Sequence, residues 1–179
     1  MIAGLFSVVI GYLLGSFPSA YIMGKLRKGI DIREGDNHNM GAGSTIRQVG
    51  LWEGIVVAIV DMAKGAGAVW IALALDVHYI VVYLAAFAAL LGHNYPFSIG
   101  FRGGQGVATV IGIFVALAPG PVAILFAIMA VVLAITRHIF SMSFVVGIVL
   151  PILLWVTGSE ASLILFSIII VAYIVFRVR

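Results

Sequence analysis

Seven apolar runs, at approximately residues 2–24, 54–75, 79–92, 107–118, 121–136, 142–157 and 161–176, leave this chain almost nothing with which to face water. Each run ends at a polar or Gly/Pro break of the kind that stops a helix. A membrane crossing takes about 20 apolar residues. The chain therefore reads as an all-α polytopic membrane protein with about seven transmembrane helices, and with five to seven as the range because the third and fourth runs are short. Hydrophobic residues make up 63% of the sequence and charged residues 9%. A soluble domain carries about 25% charged residues, so a water-soluble globule is excluded. With so little loop, residues 1–179 are expected to form a single integral membrane domain, and any chemistry must sit where the few polar residues gather.

The absence of cysteine removes disulfides, thiolate nucleophiles and Cys-bound metals. The run from Ile2 to Met23 has no basic n-region and no Ala-x-Ala site, and reads as a retained span. With the N-terminus outside, loops 25–53, 93–106 and 137–141 and the C-terminus are cytoplasmic. Lys25, Arg27, Lys28, Arg33, Arg47, Arg102, Arg137, Arg177 and Arg179 then all lie inside, and Lys64 lies within the second span. The outer turns carry Asp76, His78 and Glu160 instead. This is the positive-inside pattern. It predicts a multi-pass protein of the plasma (cytoplasmic) membrane, surrounded by lipid, with no nucleic-acid or protein partner implied.

Two polar loops fall on the cytoplasmic side. The first, from Gly24 to Gly50, sets Lys25, Arg27, Lys28, Arg33 and Arg47 around a small-residue stretch, Asn39-Met-Gly-Ala-Gly-Ser-Thr45. Small residues let backbone N–H groups approach an anion, and a helix N-terminus adds unsatisfied donors and a favourable dipole. The second loop contains Arg102-Gly-Gly-Gln-Gly106 followed by Val107-Ala-Thr109. That is a glycine-rich turn feeding a helix, in which backbone amides, the Arg102 cation and the Thr109 hydroxyl suit a phosphate. The Walker A spacing is missing, and no strand precedes the turn as a dinucleotide fingerprint requires.

Asp61 and Lys64 stand at i, i+3 in the second span and share a helix face. A charge in hydrocarbon is costly, so the pair should face the protein interior or the headgroups, as an ion pair or with Lys64 as a cation for phosphate. His93 opens the second loop and His38 lies in the first, and an imidazole titrates in the range a general base needs. Asp36, Asn37 and His38 lack a second ligand cluster, so no metal is expected. No Ser-His-Asp triad or G-x-S-x-G is present.

These residues resemble the PlsY-type acyl-phosphate:glycerol-3-phosphate acyltransferases of bacterial membranes. GHNYPFSIGFRGGQGVAT, from Gly92 to Thr109, is similar to the family's G-H-x-F-P-x-F-x-x-F-K-G-G-K-G-V-A-T. DIREGDNHNMGAGSTIR resembles its D-I-R-x-x-G-S-G-N-x-G-A-T-N-x-x-R, matching at Asp31, Ile32, Arg33, Asn39, Gly41, Ala42 and Arg47, and Asp61 to Gly65 resembles its D-x-x-K-G. The resemblance implies transfer of a fatty acyl group from acyl-phosphate to the sn-1 hydroxyl of glycerol-3-phosphate, giving lysophosphatidic acid without a cofactor. Asn39, Gly41, Ser44 and Arg47 would hold one phosphate, and Arg102, Gly103, Gly104, Gly106 and Thr109 the other. Lys64 would supply a further cation, and His93 would orient the acceptor or accept its proton.

The acyl chain would lie in a groove between helices. Acyl-phosphate is already activated, so positioning and charge stabilisation suffice without an enzyme nucleophile. Three departures stand out. Asp36-Asn-His-Asn39 and Gly43-Ser44 replace G-S-G-N and the T-N that follows it, Gln105 replaces a phosphate-neutralising lysine, and the His, Asn and Arg of the family's third motif have no counterpart before Arg179. Such departures also suit a diverged inactive paralogue, a chain cut short, or a membrane binding or transport protein for a phosphorylated or lipid anion.

Overall fold

The computed structural model describes residues 2–35, 39–137 and 141–178, and every regular element among them is helical. The chain falls into two compact units, Met1–Ile113 and Phe114–Arg179. The first contains α1 (Ile2–Gly15), α2 (Ser19–Lys28), the short α3 (Ala42–Gln48), α4 (Leu51–Ala74), α5 (Tyr79–Asn94) and most of α6 (Val107–Leu117). The second contains α7 (Pro119–Thr136), α8 (Ser141–Val156) and α9 (Ala161–Val178), with α8 packed on both α7 and α9.

Among the described residues, four helical stretches are long and apolar enough to cross a membrane: 2–28, 51–74, 79–99 and 119–136. The shorter apolar helices are Val107–Leu117, Met142–Val156 and Ala161–Arg177. Large apolar side chains such as Leu5, Ile59, Leu84, Val131 and Ile168 point outward, which suits hydrocarbon as the surrounding solvent.

The first apolar run is not one helix. α1 stops at Gly15 and α2 restarts at Ser19, because Pro18 has no N–H to give and disfavours the helical conformation of the residue before it. The third run, short in the sequence, gains length from a 3-10 turn, Phe97–Ile99, that continues α5.

Small residues set how closely the helices of the first unit approach. Gly11 and Gly15 of α1 lie directly on the backbone of Ala85 and Ala89 of α5, and Gly92 of α5 lies on Tyr12. Gly65 of α4 meets the Thr109 carbonyl of α6, and Gly112 meets that of Met62. Such seams replace hydrophobic drive, which lipid does not supply, with close van der Waals packing. They bring the break between α1 and α2, the middle of α4 and the end of α5 to one place.

Candidate functional site

At the break the Phe17 carbonyl lies outside any helical ladder, and it accepts from Lys64 Nζ at 2.8 Å. Ser19, the first residue of α2, donates its hydroxyl to Asp61 Oδ1 at 2.5 Å. Lys64 Nζ lies 2.7 Å from the same oxygen and 3.3 Å from His93 Nδ1. Ser19, Asp61, Lys64 and His93 are all buried, Asp61 at 1% exposure. The ion pair does face the protein interior. However, the Lys64 ammonium is enclosed and committed to three acceptors, so as it stands it is not an open cation for a phosphate.

The two polar loops meet beside this network. A Cβ at Gly104 would strike both the Met40 carbonyl of the first loop and His93 Nε2, so only a bare backbone fits between them. Ile32 and Met40 of the first loop are buried with Ala20 and Val57, and Ile99 of the second packs against the same cluster. Arg33 clasps the loops from outside. It is paired with Asp31 through Nε at 2.9 Å and Nη2 at 2.6 Å, and it donates from Nη1 to the Ile99 carbonyl at 2.6 Å. Neither Ser19 nor Phe17 belongs to the two polar loops. Pro18 marks where the first apolar run opens to offer both.

The glycine turn is built differently from the sequence expectation. The Gly103 amide donates to the Asn94 carbonyl at 3.0 Å and the Gly104 amide to that of His93 at 3.2 Å. These bonds satisfy carbonyls at the C-terminal end of α5, so the two amides are not open to a phosphate. Gly106, at φ 89°, turns the chain into α6, whose first amides have no intrahelical partners. Arg102, four residues before Gly106, is exposed. Thr109 is fully buried on the α4–α6 seam, and its hydroxyl has no partner among the described residues. It is enclosed rather than presented to a ligand.

In the first loop, Asn39 and Gly41 are half-buried, and buried Ser44 accepts from Arg47 Nη2 at 3.2 Å. Asp36, Asn37 and His38 lie outside the described residues. An apolar groove of about 490 Å³ runs along Ile10, Leu13, Leu14 and Phe17 on one side and Val60 and Ala63 on the other, and ends at Lys64.

The Arg33 clasp gives a pH prediction. The Arg33 side-chain hydrogen bonds hold the Asp31 carboxyl below its ordinary 3.8, against the opposing effect of its partial burial. A carboxylate with a lowered folded pKa stabilises fully above its unfolded value and loses that contribution as pH falls through the folded one. The thermal midpoint of the protein should therefore lose this contribution below about pH 4. Asp31→Asn should cost about 1 kcal/mol at neutral pH and remove this part of the acid dependence. Melting both proteins from pH 7 to 3 checks it, and parallel curves would show that the clasp carries no net energy.

A family model described as glycerol-3-phosphate acyltransferase matches residues 5–179. The chain is 36% identical over 180 residues to a glycerol-3-phosphate acyltransferase of Synechococcus sp. (strain CC9902), covering all of this chain and 90% of that protein. It is 38% identical over 161 residues to glycerol-3-phosphate acyltransferase 4 of Dehalococcoides mccartyi, covering 90% and 87%. Two crystal structures of PlsY, an integral membrane glycerol 3-phosphate acyltransferase, superpose on it at 31% identity. The glycerol 3-phosphate form has a TM-score of 0.88 and covers 97% of this chain and 87% of that one. The lysophosphatidic acid form has a TM-score of 0.86 and covers 98% and 88%.

Proposed function

Since the chain belongs to the glycerol-3-phosphate acyltransferase family, we propose that it transfers a fatty acyl group from acyl-phosphate to the sn-1 hydroxyl of glycerol-3-phosphate, giving lysophosphatidic acid. The hydroxyl oxygen bonds to the acyl carbon, the carbon–oxygen bond to phosphate breaks, and the released phosphate carries away the proton. The observation that carries the reading is the apolar groove that ends at Lys64, whose Nζ lies 3.3 Å from His93 Nδ1. Its volume is in the range of ligand sites, and it lets a greasy chain lie in the membrane helices while its activated end meets polar groups.

One phosphate is held by Arg102 with the first amides of α6, where the helix dipole favours an anion. Asn39, Gly41, Ser44 and Arg47 hold the other. His93 serves the reacting oxygens. The positive-inside distribution supports a cytoplasmic face for this end, and the same reading has the N-terminus outside, seven crossings and the plasma membrane as the location.

The test is purified protein in lipid nanodiscs with palmitoyl-phosphate and glycerol-3-phosphate. Lysophosphatidic acid and inorganic phosphate should appear in equal amounts. A folded sample that yields neither overturns the proposal.

A further inference from the structure

Lys64 has three ammonium protons and three acceptors: the Phe17 carbonyl at 2.8 Å, Asp61 Oδ1 at 2.7 Å and His93 Nδ1 at 3.3 Å. An ammonium only donates, so Nδ1 accepts and the neutral ring keeps its proton on Nε2. Asp61 Oδ1 lies 2.7 Å from the ammonium, and the Ser19 hydroxyl bonded to Oδ1 fixes that carboxylate. Asp61 Oδ1 is 3.7 Å from Nδ1, beyond hydrogen-bond reach, so the carboxylate does not claim a proton there. On the far side of the ring, Nε2 faces Gly104 and has no hydrogen-bond partner among the described residues.

We infer that Ser19, Asp61 and Lys64 are positioning residues that hold His93 as its Nε2–H tautomer, so that His93 acts on the reacting substrate as a hydrogen-bond donor and not as a base. What Nε2–H meets rests on the acyl-transfer reading: an oxygen that gains negative charge as the new ester bond forms, where an aimed donor is worth most. A purely structural ion pair would need neither the histidine nor its unpartnered edge.

The first measurement needs no variant. Nitrogen NMR of histidine-labelled full-length protein in nanodiscs should show His93 with a proton-bearing Nε2 and a bare Nδ1, assigned by the loss of that signal in His93→Gln. A proton on Nδ1, or on both nitrogens, overturns the inference.

The second compares variants at constant fold, checked by melting. Glutamine can offer an N–H near the Nε2 position but cannot act as a base. His93→Gln should keep turnover within about tenfold of the parent, whereas His93→Leu should lose on the order of a hundredfold, the scale of one missing donor. Equal loss in both overturns donation.

The third is Asp61→Asn combined with Lys64→Met, which removes both charges together so that neither is left buried alone. It should let the ring proton move toward Nδ1 and lower kcat about tenfold, with KM for glycerol-3-phosphate changed less than about twofold. An unchanged tautomer and kcat overturn the positioning role. If the parent protein transfers no acyl group, the acyl-transfer reading fails, and the NMR result still decides the tautomer.

Discussion

Asp61→Ala is expected to lower stability by about 3–5 kcal/mol, the usual cost of leaving one partner of a buried ion pair unpaired. The Lys64 ammonium would keep the Phe17 carbonyl and His93 Nδ1 as neutral acceptors, with no anion left beside it. The Ser19 hydroxyl would lose its acceptor as well. The break between α1 and α2 should then loosen, because two of its links to α4 pass through these groups. Adding Lys64→Leu should recover most of the stability, since a buried pair replaced by apolar groups is often neutral, but should not recover turnover, because His93 Nδ1 would still lack its donor. Thermal melting in one detergent, with acyl transfer measured alongside, checks both halves. A single variant that melts like the parent would show that the lysine finds water or headgroups instead of an enclosed site.

The helices were largely legible because their signal is periodicity and length. All seven apolar runs reappear as helical segments within a few residues of their expected ends. The first run, read as one span over residues 2–24, is instead broken between Gly15 and Ser19 around Pro18. A proline says that a helix is disturbed, and only the neighbouring helices decide whether it kinks or opens.

The site was legible in residue type and less so in role. Gly103 and Gly104 look like phosphate-cradling glycines, yet their amides close the end of α5 and their missing side chains let three backbone segments meet. Lys64 reads as a spare cation and proves committed, because nothing local in the sequence announces that Phe17, 47 residues earlier, will supply a carbonyl. Arg33 reads as a loop cation within the D-I-R match, and its reach to Ile99 spans 66 residues. Long-range polar contacts of this kind leave no periodic trace.

Gly104→Ala should cost on the order of a hundredfold in kcat/KM, comparable to losing an aimed donor, while leaving helix content unchanged. Its backbone is not in the left-handed region, so strain is not the reason. The added methyl would occupy the space of the Met40 carbonyl and of His93 Nε2, and Met40 is anchored in a buried cluster. Either the first loop moves off the second, or the imidazole turns away from the position that Lys64 holds. Both separate the groups proposed to act together, and a misplacement of about 1 Å is enough to cost a hundredfold.

Gly100 provides the contrast. It has φ 75° but nothing within 4 Å of an added Cβ, so Gly100→Ala should cost about 1–2 kcal/mol of stability through the backbone alone and leave kcat/KM near the parent value. Measuring both variants by melting and by acyl transfer separates crowding at the site from strain in the loop. If Gly104→Ala turned over normally, the close meeting of the two loops would have no part in the chemistry.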